Sequence, residues 1–180
     1  MTHSPFEVKS RRSLRLFGAI AAVAAGALPL SVGAAPATGA RAFLLNIYRH
    51  YPTDGKAGAF DPVGVDGPKV FTPAMMGLIR RDQKLSKGEV GALDGDPLCD
   101  CQDDGGLEVK IGAVSETGPA DARAVVTLTF AGASPPDVRR LVIRLSKGKA
   151  GWRIADIASP DEPSLSASLA RSNRDRAGGR

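Results

Sequence analysis

Histidine, cysteine and aromatic side chains are scarce in this chain of 180 residues, and each scarcity removes a class of chemistry. The two histidines are His3 and His50. With His3 in a segment that reads as removable, one histidine is left, too few for a His-based zinc site or proton relay. The same shortage makes a Ser-His-Asp triad hard to build. Two cysteines, Cys99 and Cys101, allow a single intramolecular bridge. One tryptophan and 5% aromatic residues leave little surface for stacking bases. No stretch matches a catalytic motif of known mechanism, and no internal repeat is visible.

Positive charge is present but misplaced for nucleic acid. The formal net charge is +5, yet four basic residues fall in residues 1–37 and four in residues 171–180, each end carrying one acid. The segment between is within one charge of neutral. Counterion release needs Lys and Arg clustered on a folded face, so no nucleic-acid partner is expected.

Residues 1–37 have the three parts of an export signal: a basic start containing Lys9, Arg11, Arg12 and Arg15, an apolar run over 16–30, and small residues ending in Ala35-Pro36-Ala37. The apolar run is short and rich in Ala and Gly for a membrane span. Ser10-Arg11-Arg12-Ser13-Leu14 resembles the twin-arginine signature, and an ordinary Sec signal fits the same segment. Cleavage after Ala37 or Ala34 would leave a periplasmic or secreted protein without membrane attachment. No cysteine near that site offers a lipid anchor.

Residues 38–170 read as one domain, with a disordered basic tail over 171–180. Phe43, Leu44, Ile47, Tyr48 and Tyr51 line one face of a helix over 38–51, with His50 in its last turn as a surface residue. Residues 53–70 carry four glycines and two prolines and read as a long loop. Thr72-Pro73 then opens a second helix with Met75, Met76, Leu78, Ile79 and Leu85 inward, and Arg80, Arg81, Asp82 and Lys84 in water. Residues 164–169 add a short third helix on their spacing.

Beyond residue 106 the period changes from helical to alternating. Leu107, Val109 and Ile111, then Ala124, Val126, Leu128 and Phe130, then Leu141, Ile143 and Leu145 predict three strands. A fourth, over 151–157, places Trp152 and Ile154 on one face, and strict alternation adds Asp156 to it. The short connections favour antiparallel neighbours. The expected class is α+β, a four-stranded antiparallel meander covered by two or three helices.

Between helices and strands lies GEVGALDGDPLCDCQDDGG, residues 88–106, whose composition is unlike its surroundings. Cys99 and Cys101 are two apart. An extended strand would hold their alpha carbons about 6.6 Å apart with side chains on one side, so a bridge between them requires a turn. Asp96-Pro97 and Gly105-Gly106 supply turn residues. A structural disulfide is the first reading in an oxidising compartment. Calcium on Asp94, Asp96, Asp100 and Asp103 is the next, although Gly105 stands where an EF-hand needs a bidentate Glu. Thiolate-bound zinc or copper has only two soft ligands, and a redox pair normally has two residues between its cysteines. No cofactor is otherwise expected. Asp94 with Asp96 also makes a generic acid–base pair, and solvated turn aspartates are the plainer account.

The order of features resembles the exported bacterial proteins grouped as domain of unknown function family 3828: Phe60-Asp61-Pro62, the Thr-Pro helix, Leu93-Asp94-Gly95-Asp96-Pro97-Leu98-Cys99-Asp100-Cys101-Gln102-Asp103, and Gly151-Trp152-Arg153-Ile154-Ala155-Asp156-Ile157. The resemblance covers about residues 38–170. It implies a cone-shaped cystatin-like or nuclear-transport-factor-two-like domain and carries no chemistry with it. The functional expectation is a non-enzymatic module that binds a small molecule or a periplasmic protein, with Asp94, Asp96, Gln102, Asp103 and Trp152 as ligand-binding candidates. The alternative is a pocket enzyme using a carboxylate, Asp156 or the Asp94/Asp96 pair, as acid and base.

Overall fold

The alternating runs form the four strands expected of them, β1 (Leu107–Glu116), β2 (Asp121–Phe130), β3 (Asp137–Gly148) and β4 (Gly151–Ala158), in a single antiparallel sheet ordered as a meander. The computed structural model describes residues 39–51, 59–102 and 106–179. The export signal with its twin-arginine or Sec alternatives lies outside the described residues, as do Asp103 and Asp104.

One face of the sheet is apolar because inward positions recur every second residue. Leu107 and Ile111, Ala124, Val126 and Leu128, Leu141, Ile143 and Leu145, and Trp152 and Ile154 are all buried there. Each such Leu or Ile contributes about 1.5–3 kcal/mol relative to exposure. Helices cover this face: α1 (Gly39–Tyr48) over β1 and β4, α3 (Pro73–Ser86) beside β4, and α4 (Leu165–Ala177) packed on both α3 and β4. Thr72 caps α3 as expected, its Oγ1 accepting from the Met75 amide at 3.3 Å. Met75 and Met76 are core residues.

Both sheet edges are occupied locally. On β1, residues 112 and 113 stand opposite Val125 in a bulge, and the Arg41 side chain donates to the carbonyls of Ile111 and Gly112 at 3.1 and 2.8 Å. On β4, Phe71 bridges Ile154, and the Thr72 amide donates to the Ile154 carbonyl at 2.9 Å. Such cover blunts edges that would otherwise pair with another chain.

Four expectations change. The glycine-rich stretch holds a helical turn, α2 (Gly67–Val70), where a loop was expected; residues 52–58 lie outside the described residues. Asp82 is not in water but 1% exposed. Residues 171–177 are helical where a disordered tail was expected, because α4 continues to Ala177. Its polar residues hold it: Asn173 Nδ2 donates to the Leu78 carbonyl at 3.0 Å, and Arg176 Nη1 donates to Ser86 Oγ at 2.8 Å. Finally, Asp156 does not share a face with Trp152 and Ile154. Leu145 pairs with Ile154 but Arg144 with Asp156, which leaves Ala155 unpaired in a bulge and reverses the alternation beyond it.

Candidate functional site

The cysteine loop folds on its own aspartates. The Asp96 amide donates to the Cys101 carbonyl at 2.8 Å, and the Cys101 amide returns the bond to the Asp96 carbonyl at 3.3 Å. Inside this two-residue bridge, Asp96 Oδ1 accepts from the Leu98 amide at 2.8 Å, an Asx turn. Asp100 supplies the left-handed step with φ 54°, a conformation in which Asp is enriched among non-glycine residues. The alpha carbons of Cys99 and Cys101 thereby approach to 5.1 Å, and their sulfurs stand at disulfide distance. Gly95 is obligatory in the turn, since a Cβ there would lie 2.5 Å from the Cys101 carbonyl oxygen.

Three anchors fix this loop to the domain. Tyr51 donates its hydroxyl to Asp96 Oδ2. Tyr48 donates to the Leu98 carbonyl at 3.0 Å. Burial, followed by the Asp96 charge, pushes the Tyr48 hydroxyl far above its ordinary value, so it acts as a donor. From α3, the buried Asp82 carboxylate accepts from the Ala92 and Leu93 amides at 3.0 and 3.1 Å. Gly91 permits that approach, because a Cβ would fall 2.1 Å from Asp82 Oδ2.

Held there, the loop forms one wall of a cavity of about 600 Å³. The opposite wall comes from the ends of β2 and β3 and from α4. Leu93, Phe130, Leu141, Ile157, Leu165 and Leu169 give it an apolar lining. Asp94, Asp96, Asp100, Asp137 and Glu162 add carboxylates, and Arg139 is the cation among the lining residues. Arg139 is already engaged: Nε and Nη2 donate to Asp137 Oδ2 at 2.9 and 2.8 Å, Nη1 donates to the Asp100 carbonyl, and the guanidinium lies 4.8 Å from the Phe130 ring centre.

The residues singled out in the sequence therefore divide. Asp94, Asp96, Asp100, Cys101 and Gln102 line the cavity, while Asp103 lies outside the described residues. Trp152 is a core residue, 7% exposed, and takes no part in the cavity. Asp156 faces the other side of the sheet, in a shallow site with Arg123, Arg144 and Ser164. Among the described residues, no group of three or more His, Cys, Asp or Glu converges to hold a metal ion. His50 stacks on Phe60 with ring centres 4.4 Å apart, away from the cysteine loop's cavity.

Phe130, Asp137, Arg139 and Glu162 were not visible as site residues in the sequence. Register brings the first three together, with Phe130 opposite Asp137 and Leu128 opposite Arg139. A charged Asp-x-Arg at the start of an otherwise apolar-facing strand is the one signal that was available.

No protein-family model matches the chain. It is similar to the uncharacterized protein YqhG of Escherichia coli (strain K12), with 33% identity over 117 residues. That alignment covers 63% of this chain and 36% of YqhG, so the chain matches about a third of the length of that relative. No solved structure matches it.

Proposed function

We propose that the chain is an exported, non-enzymatic binding module whose ligand occupies the cavity under the cysteine loop. The cavity carries the reading: its volume falls within the ~300–1,000 Å³ usual for small-molecule sites, and it joins an apolar lining to a few polar groups. The segment 1–37 supports a periplasmic or secreted location, and the resemblance to domain of unknown function family 3828, with its cone-shaped fold, belongs to the same proposal. YqhG is itself uncharacterized and adds no activity. The acid–base alternative has no comparable support, since Asp156 is not among the cavity residues and both Asp96 oxygens already accept hydrogen bonds.

The test is a fragment screen by two-dimensional NMR. Hits should shift the amides of residues 93–101, 139–141 and 165–169, and Ser168→Trp, which fills the cavity from α4, should abolish those shifts in a folded protein. Hits that cluster instead around Phe60 and Lys69, in the second cavity of about 460 Å³, would overturn the assignment. So would hits unaffected by Ser168→Trp.

In this reading Cys99 and Cys101 are bridged and shape the loop. The intact mass of the exported chain should correspond to a start at Thr38 or Ala35 and lie two hydrogens below the reduced mass. A ring this short removes little unfolded-chain entropy, so the double Cys→Ser variant should fold with a loss of about 1 kcal/mol or less. Its effect should be local, as faster amide exchange over 94–101. Two freely alkylated thiols in the exported protein would refute the bridge.

A further inference from the structure

We infer that the cavity selects small ligands that carry a cationic group on an apolar body. The inference rests on the binding reading above and adds a chemical class to it. Two independent features of the cavity converge on that class. Its lining is apolar over Leu93, Phe130, Leu141, Ile157, Leu165 and Leu169, which favours a ligand body that sheds water on entry. Its charge is one-sided. Arg139 spends its charge on Asp137, and that ion pair is internal to the wall. Among the described residues no salt bridge reaches Asp94, Asp100 or Glu162. The Glu162 carboxylate accepts from the Ser164 amide at 3.3 Å, a neutral donor that does not neutralise it. A ligand cation placed among these carboxylates completes them, whereas an anion meets like charge.

The acids also have the placement that selection requires. Asp94 and Asp100 come from the cysteine loop and Glu162 from the segment entering α4, so they approach the cavity from two sides. Single exposed ion pairs are weak, and these carboxylates do not converge as a metal site would, so the preference comes from their summed field over an apolar cavity and not from one tight contact. The discrimination is electrostatic and must therefore weaken with salt.

The experiment uses three probes of one shape: phenylbutylamine, phenylbutanol and phenylbutyrate, titrated into the full chain and followed through the amides of residues 93–101, 139–141 and 165–169. Phenylbutylamine is expected to bind about tenfold more tightly than phenylbutanol, with phenylbutyrate weakest. That preference should shrink severalfold in about 1 M salt, where the screening length is ~3 Å. The combined variant Asp94→Asn, Asp100→Asn, Glu162→Gln should bring amine and alcohol within about twofold of each other. Asn tolerates the left-handed conformation at position 100 as Asp does, so the variant is expected to fold.

If all three probes bind at the cavity equally, the charge preference is wrong and the binding reading stands. If none shifts these amides, both fall. Calcium chloride alone should leave them in place. A saturable calcium shift would make the acids a metal site and overturn the inference.

Discussion

Replacing Trp152 with alanine is expected to remove about 3–5 kcal/mol of folding stability, the range of other buried aromatic truncations. The side chain is 7% exposed and sits on the helix-covered face of β4. Register places it opposite Lys147, whose ammonium lies 5.8 Å from the indole ring centre. Its other neighbour is the start of α1, where a Cβ on Gly39 would stand 3.7 Å from the indole Nε1. Truncation therefore opens a void between sheet and helix, and a 10-residue helix has little of its own stability with which to close it.

The indole nitrogen works against the full figure. Among the described residues the buried Nε1 has no acceptor, and an unpaired buried donor costs about 1–3 kcal/mol. Trp152→Phe deletes that donor and leaves a smaller void, so its stability should fall within about 1 kcal/mol of the parent. Urea unfolding followed by circular dichroism measures both variants. A loss under about 1 kcal/mol for Trp152→Ala, with parent fluorescence typical of an exposed indole, would show that the strand faces the other way.

Hydrophobic period reports which apolar residues are inside, and over β1, β2 and β3 it does so residue by residue, down to the inward set Leu141, Ile143 and Leu145. It is blind to burial achieved by polar groups. Asp82, Asn173 and Asp156 are all buried because backbone amides or carbonyls meet their side chains, and no pattern of hydropathy encodes those partners. A single bulged residue, Ala155, is enough to reverse the face that alternation assigns to Asp156. The loop half of the cavity was legible, since an Asp-, Gly- and Cys-rich stretch has a composition no core element shares. The sheet half was not, because Arg139 and Phe130 become neighbours only through strand register.

The helix that completes the cavity is held by Asp156, and Asp156→Ala is expected to cost about 3 kcal/mol. Oδ1 accepts from the Ile157 and Ser166 amides at 3.0 and 2.9 Å, and Oδ2 accepts from Ser164 Oγ at 2.7 Å and from Arg144 Nη2 at 2.9 Å. Ser164 is the N-cap of α4, its Oγ accepting from the Ala167 amide at 3.2 Å, so the carboxylate sits where a helix favours negative charge. Alanine would leave two amides without an acceptor in a buried place. Arg144→Ala should cost under about 1 kcal/mol, because that side chain is 65% exposed. Burial alone would raise the Asp156 pKa, but the hydrogen bonds from Ser164 and Ser166, with the Arg144 charge, outweigh it and hold the group below its ordinary value of 3.8. Folding then favours the ionised form. The stabilisation is complete above the unfolded-state value and is lost as pH falls through the lower, folded value. The stability gap between the parent and Asp156→Asn should accordingly stay constant from neutral pH to about pH 5 and narrow below about pH 4, measured by urea unfolding. A gap that widens in acid would mean the native state holds Asp156 protonated. Because α4 carries Leu165, Ser168 and Leu169 into the cavity, the same variant should weaken phenylbutylamine binding without touching the cavity's own charges. Unchanged binding in a folded Asp156→Asn protein would show that the α4 wall is positioned by its contacts with α3 alone.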